Sequence, residues 1–145
     1  MTRYSAAAVL LIPALCLTSC GKDRYALPDH PAVFETGEFI NPDDPEDRFC
    51  SVEWEGRTYI MFGIEKNRTH FGKCLGYVKG DEDQRIFAAE NLPETDYLIE
   101  YHTAGIMEQA VYLRCTDTKG EPAPEQLESY GYPFWESEPA DDTTA

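Results

Sequence analysis

The sequence predicts a mainly β protein, a small antiparallel β-meander or barrel of about six strands with flexible ends. Three observations support this prediction. Apolar and polar residues alternate with a period of two over residues 48–116, and no interval keeps a 3.6-residue period. The chain also carries 10 Pro and 10 Gly, which favour short elements. Because 42% of its 145 residues are hydrophobic, it can form a core.

The six predicted strands pair in chain order as three hairpins. Their ranges are 50–54, 58–62, 73–78, 85–89, 97–101 and 111–115. Glu55-Gly56 separates the first two strands and favours a tight turn. A polar loop over residues 65–70 leads from the first hairpin to the second. Successive hairpins of this kind are typical of a meander or a small barrel.

The first 19 residues have the layout of a secretory signal. Arg3 is followed by an uncharged run, and the apolar centre of that run, residues 6–17, is 12 residues long. As a helix it would cover about 18 Å of a hydrocarbon core roughly 30 Å thick, which is too short to span a membrane. A basic residue, a short apolar stretch and small residues therefore predict a signal peptide at 1–19.

The signal ends in Leu17-Thr18-Ser19-Cys20, which resembles the lipobox of bacterial lipoproteins. The resemblance implies cleavage before Cys20 and a diacylglyceryl group on the Cys20 thiol. Acyl chains such as palmitate would then anchor the chain at the extracytoplasmic face of the cell membrane. Gly21 stands where some Gram-negative lipoproteins carry an inner-membrane retention Asp, so a Gram-negative envelope would favour the outer membrane. An ordinary cleaved signal and an uncleaved anchor are the alternatives.

Residues 20–47 are predicted to be a lipidated N-terminus and an acidic, Pro-rich tether. Prolines at 28, 31, 42 and 45 interrupt regular structure, and acidic residues at 43, 44, 46 and 47 end the segment. As a flexible chain it would reach roughly 30 Å. The predicted organisation is a signal at 1–19, the tether at 20–47, a β-rich globular domain at 48–118 and an acidic tail at 119–145.

The tail contains an apolar stretch formed by Tyr130, Tyr132, Phe134 and Trp135. Aromatic rings are unfavourable in water, so the stretch is predicted to dock onto the domain as a last extended segment. The alternative is an exposed patch of these four residues that binds an envelope protein or a glycan.

Four segments also resemble a group of small uncharacterised bacterial lipoproteins. They are GKCLGYV (72–78), DYLIEY (96–101), IMEQ (106–109) and DTKG (117–120). This second resemblance supports a domain of its own kind and implies no activity.

Three cysteines remain once Cys16 is removed with the signal and Cys20 is lipidated. They are Cys50, Cys74 and Cys115. Outside the cytoplasm this odd number predicts one disulfide and one free thiol, and the pairing stays open. The alternative is an envelope without oxidation machinery, which would leave all three reduced. Strand alternation predicts that Cys50 and Cys115 both face the core.

No catalytic constellation or cofactor motif stands out in the sequence. His70 and Cys74 suggest a zinc site, with further ligands from Cys50, Cys115 or His102. No Cys-x2-Cys or His-x3-His clamp supports it, so we expect no metal, no cofactor and no catalytic residue. Cys74 as a nucleophile with His70 or His102 as its base is the thiol-enzyme alternative.

The charge balance narrows the class of partner. The chain has 12 Lys and Arg against 27 Asp and Glu, a formal net charge of −15, which argues against nucleic acid because that ligand requires a basic face. The sequence therefore predicts a lipid-anchored, non-catalytic binding or structural module of the bacterial cell envelope. One alternative is an inhibitor or immunity-type protein that neutralises a basic partner. The other is a small thiol-dependent envelope enzyme.

Overall fold

The structure is a computed structural model that describes residues 23–66, 69–104 and 109–136. Within these ranges the strands are β1 (Ala32–Asn41), β2 (Asp44–Trp54), β3 (Arg57–Glu65), β4 (Phe71–Val78), β5 (Asp81–Ala89), β6 (Tyr97–His102) and β7 (Ala110–Cys115). A 3₁₀ turn (Thr116–Thr118) follows β7, and a one-turn helix, α1 (Pro133–Glu136), comes last. No helix in these ranges is long and apolar enough to cross a membrane.

The seven strands form a closed barrel in the order β1-β2-β3-β7-β6-β5-β4. Neighbouring strands are antiparallel except at the closure, where β1 pairs with β4 in parallel. The predicted mainly β meander or barrel is therefore confirmed, with seven strands instead of six and one parallel pair. The additional strand is β1.

The structure corrects the predicted tether, because β1 and the start of β2 occupy residues assigned to it. The predicted start of the domain at residue 48 lies inside β2. Pro31 precedes β1, Pro42 lies in the turn between β1 and β2, and Pro45 is an exposed residue near the start of β2. These are positions at which a strand tolerates the missing N–H of proline. The acidic residues of this region are mostly exposed on the hairpin, so they do not oppose its folding.

The chain is attached to the barrel even before β1. The Tyr25 ring lies 5.8 Å from the Phe71 ring and 5.9 Å from the Phe87 ring, centroid to centroid. The Arg85 guanidinium also donates to the Tyr25 carbonyl. The segment between Cys20 and the folded domain is therefore only a few residues long, not the 27 residues or so that the sequence predicts.

The turn between β2 and β3 confirms the predicted Glu55-Gly56 hairpin. Both residues have positive φ, 50° for Glu55 and 74° for Gly56. Two consecutive left-handed residues form the turn whose twist matches that of the flanking strands.

Two apolar clusters lie on the two faces of the barrel wall. The inner cluster has a buried side chain from every strand: Phe34, Val52, Tyr59, Val78, Ile86, Leu98, Leu113 and Cys115. The outer cluster comprises Phe62, Phe71, Phe87, Ala89, Tyr97, Ile99, Ala110, Tyr112 and Leu127. Because successive residues of a strand face opposite sides, Leu98 belongs to the inner cluster and Ile99 to the outer one. The wall is therefore apolar on both faces along β5, β6 and β7.

Gly76 allows the barrel to close. Ala32 of β1 pairs with Gly76 of β4, and a Cβ on Gly76 would lie 1.9 Å from the Ala32 carbonyl oxygen. That oxygen belongs to the backbone, so it cannot rotate away as a side chain would. Only a residue without a Cβ fits this contact.

We predict that Gly76→Ala weakens the closure and lowers the free energy of unfolding by about 1–3 kcal/mol, the usual cost of overpacking. Urea unfolding followed by tryptophan fluorescence measures the change. Gly37→Ala is the matched control, because its added Cβ would meet the Ser51 hydroxyl, a side-chain atom, at 3.0 Å. A loss for Gly76→Ala no larger than for Gly37→Ala would contradict this account of the closure.

Candidate functional site

The C-terminal segment, residues 119–136, fills the space where β2 separates from β3. β2 pairs with β3 only as far as Ile60. Beyond that point Gly63 forms a bridge with Ser129, and the Tyr130 N–H donates to the Phe62 carbonyl at 2.9 Å. The segment therefore takes over the edge of β3 that β2 leaves.

The aromatic stretch of this segment docks onto the barrel, but it is not the extended segment that the sequence predicts, because Phe134 and Trp135 lie in the one-turn helix α1. The Phe134 ring lies 5.0 Å from that of Phe39, and its side chain is only 2% exposed. The Trp135 indole N–H donates to the Met61 carbonyl at 2.9 Å. Tyr130 is 42% exposed to solvent and is the exposed member of the stretch. The four residues hence do not form the exposed partner patch considered as the alternative, because Phe134 is inaccessible.

Arg114 holds the C-terminal segment against the outer face of β7. Its side chain is 2% exposed, and its guanidinium lies 5.2 Å from the Phe62 ring centroid and 4.8 Å from that of Trp135. Its N–H groups donate to the Thr118 hydroxyl and carbonyl and to the Glu121 carbonyl at 2.7–2.8 Å. The chain itself thus meets the hydrogen-bonding needs of this buried cation.

Glu65, at the end of β3, is the second charged side chain buried under the C-terminal segment. Its side chain is 1% exposed. Oε1 accepts a hydrogen bond from the Thr69 N–H and lies 3.3 Å from Nδ1 of His70. Oε2 is buried and has no hydrogen-bond partner among the residues described. Nearly all buried polar atoms in folded proteins have such a partner, so this oxygen marks an incomplete site.

A cavity of about 130 Å³ adjoins Glu65, and we call it the Glu65 cavity. The side chains on its walls that bear on its chemistry are Glu65, Lys66, His70, Tyr112, Gln126 and Glu128. Burial, followed by the negative charge of Glu65, raises the pKa of Tyr112 to about 12, so its hydroxyl stays protonated at neutral pH. Lys66 and Glu128 form an ion pair at the rim. The cavity therefore combines one buried carboxylate with the hydrogen-bonding side chains of His70, Tyr112 and Gln126.

The expected disulfide is not present, because Cys50, Cys74 and Cys115 are all free thiols. Cys115 is buried and Cys74 half-buried. Cys50 is exposed, contrary to the prediction that it faces the core. It lies opposite Glu38 on the part of the β1–β2 hairpin that extends beyond the inner cluster. Cys16 and Cys20 lie outside the described residues.

Cys74 and Cys115 do not have the environment of a nucleophile. Burial raises the pKa of Cys74 and of Cys115, which favours the protonated thiol. The Cys74 Sγ lies 3.8 Å from the Gly76 carbonyl oxygen, to which the thiol can donate a weak hydrogen bond. His70 and His102 each lie against a carboxylate, Glu65 and Asp81 respectively. In the described ranges no three His, Cys, Asp or Glu side chains come together to hold a metal ion.

Comparisons with known proteins add no relative. No protein-family model matches the sequence, and neither a curated protein nor a solved structure matches it. The site must therefore be interpreted from its own chemistry.

Sequence reasoning missed Glu65 as a site residue, because it reads as the first residue of a polar loop. The pairing of β3 with β7 shifts register between Met61 and Gly63, and Glu65 then pairs with Ala110 on the outer face. A glycine inside a strand is the local signal of such a bulge. The sequence does not reveal that the C-terminal segment then covers this face.

We predict that the three thiols differ in reactivity by their burial. Iodoacetamide should alkylate Cys50 first and Cys74 more slowly, and it should reach Cys115 only on unfolding. Peptide mapping by mass spectrometry at successive times measures each rate. A disulfide that includes Cys50, or equal rates at Cys50 and Cys115, would show that the thiols are not placed as described.

We predict that the His102–Asp81 pair makes stability depend on pH. The hydrogen bond with Asp81, at 3.0 Å, raises the pKa of His102 above 6.5, and the same bond lowers the pKa of Asp81 below 3.8. The His102 contribution is thus complete below pH 6.5 and is lost as the pH rises through the raised pKa. The Asp81 contribution is complete above pH 3.8 and is lost as the pH falls through the lowered pKa.

Thermal unfolding of His102→Gln and of the wild type tests the predicted pH dependence. The unfolding midpoint of the variant should lie further below that of the wild type at about pH 5 than at about pH 9. His30→Gln, which changes an exposed histidine before β1, is the control and should show no such difference. The same midpoint difference for His102→Gln at both pH values would contradict the prediction.

Proposed function

We propose that this protein is a lipid-anchored, non-catalytic binding module on the extracytoplasmic side of a bacterial cell membrane. The observation that carries the proposal is the sequence Leu17-Thr18-Ser19-Cys20 after a short apolar run, which resembles a lipobox. A diacylglyceryl group on Cys20 provides two acyl chains, enough for stable anchoring where one chain would bind reversibly.

In this proposal the lipid holds the barrel next to the membrane. Tyr25 packs into the outer cluster, so five steps of chain join Cys20 to the folded domain. At about 3.3–3.6 Å per residue, this connection spans at most about 18 Å. A short connection suits a domain that acts at the membrane surface.

The binding role draws support from the Glu65 cavity, because the buried Oε2 of Glu65 has no donor within the part of the chain that the structure describes. The thiol-enzyme alternative has less support, because burial raises the pKa of Cys74 and leaves the less reactive protonated form at neutral pH. An incomplete buried polar site with no activated nucleophile beside it favours ligand binding over catalysis.

We predict that the mature chain begins at a diacylglyceryl-modified Cys20. Mass spectrometry of the N-terminal peptide from purified membranes measures both the start and the modification. Cys16→Ala is the matched control, since it changes the other signal cysteine and should leave the mature peptide unchanged. Cys20→Ala should abolish the lipidated peptide. An unmodified Cys20 in the wild-type protein, or a mature chain that begins elsewhere, would contradict the proposed anchor.

A further inference from the structure

We propose that the Glu65 cavity binds the ammonium group of a primary amine. This inference names a ligand class for the binding role proposed above and rests on that role. Oε2 of Glu65 is a buried acceptor that receives no hydrogen bond from residues 23–66, 69–104 or 109–136. An ammonium group offers three N–H donors together with a positive charge. A charged donor on a carboxylate also forms a stronger hydrogen bond than a neutral one.

The charges around the cavity favour a single positive charge. Lys66 and Glu128 lie on its wall but pair with each other at the rim, where both are largely exposed. Glu65 contacts the His70 ring through Oε1, and neither a lysine nor an arginine among the residues described pairs with it. A cation would bind at Oε2, whereas an anion would face the carboxylate there.

The donor set favours an amine over a metal ion. Zinc takes about four protein or water ligands and calcium about six to eight, mostly from carboxylates, carbonyls and histidines. The described residues bring no three His, Cys, Asp or Glu side chains together. In contrast, Gln126 and Tyr112 line the cavity beside Glu65, and their side chains carry oxygen atoms that can accept from N–H donors.

The size of the cavity fits a small head group. A cavity that holds one water molecule needs a volume of about 10–15 Å³, and the volume of the Glu65 cavity is about 130 Å³. The cavity therefore has room for an ammonium group and its first carbon atoms. Tyr112 lies on the same wall as Glu65, and burial, followed by the charge of Glu65, raises the pKa of Tyr112 to about 12, so its hydroxyl keeps its proton.

A second recess lies next to the cavity and would accommodate the rest of the ligand. Ser129 and Tyr130 line it, and it shares Lys66 and Glu128 with the Glu65 cavity. The exposed ring of Tyr130 offers an apolar surface for a carbon chain. The ligand class is therefore a primary amine attached to a carbon chain, not free ammonium.

The test uses the full-length lipidated protein, labelled with ¹⁵N and ¹³C, in detergent micelles. n-Butylammonium chloride is the probe, and tetramethylammonium chloride is its control, because it carries the same charge without an N–H donor. We expect butylammonium to cause saturable NMR shifts of the Thr69 amide and of the Glu65 carboxyl carbon. Tetramethylammonium should cause at least about tenfold smaller shifts at the same concentration. Equal shifts with both cations, or none with butylammonium, would overturn the proposal.

Two matched variants locate the site. Glu65→Gln keeps the shape of the side chain but removes its charge, and should weaken butylammonium binding at least about tenfold. Glu128→Gln removes the exposed carboxylate at the rim and should change binding by less than about threefold. Unchanged binding in Glu65→Gln would overturn the proposal. If Glu65→Gln does not fold, the comparison of the two cations on the wild-type protein decides alone.

The result of the butylammonium experiment can be distinguished from the result of the anchor experiment on Cys20. A lipidated Cys20 with no butylammonium shift would reject the ligand class and leave the anchor in place. A butylammonium shift in a protein without lipid on Cys20 would support the cavity and reject the anchor.

Discussion

The strands β5, β6 and β7 carry large apolar side chains on both faces, and the rest of the structure depends on this constraint. Phe87, Ile99 and Tyr112 lie in the outer cluster, where a barrel with a bare outer wall would leave them in water. The two ends of the described chain cover this face, with Tyr25 from one side and Trp135 from the other. Burial of a large apolar side chain contributes about 1.5–3 kcal/mol, so these end segments belong to the folded domain.

The covering segment also explains why two charged side chains are buried on the outer face. Arg114 donates three hydrogen bonds to Thr118 and Glu121, and its guanidinium lies over the Trp135 ring. Its role is therefore to hold the segment in place. Glu65 is covered by the same segment, but its Oε2 has no partner among the described residues. The difference assigns a structural role to Arg114 and is the basis of the ligand proposed for Glu65. Both roles depend on the C-terminal segment, which therefore links the stability of the barrel to its candidate site.

Much of the barrel follows from sequence alone, because short runs rich in aromatic and β-branched residues predict β2 to β7 and Glu55-Gly56 specifies its turn. β1 does not follow from the sequence, because the prolines and acidic residues around it resemble a tether, and its pairing with β4 depends on a distant contact at Gly76. The candidate site is harder still to predict. The irregularity before Gly63 places Glu65 on the outer face, and only the folded chain brings Gln126 over it. Local patterns therefore predict hairpins. The positions of the buried charges depend instead on the register shift in β3 and on contacts between residues far apart in the sequence.

The most direct test of this account compares Phe134→Ala with Tyr130→Ala in urea unfolding of the full-length protein. Phe134 is buried against Phe39, so its truncation should lower the free energy of unfolding by about 3–5 kcal/mol, as for other buried aromatic residues. Tyr130 is exposed on the same segment and should change it by less than about 1 kcal/mol. Equal, small losses in both variants would contradict the central claim that the C-terminal segment is an integral layer of the fold.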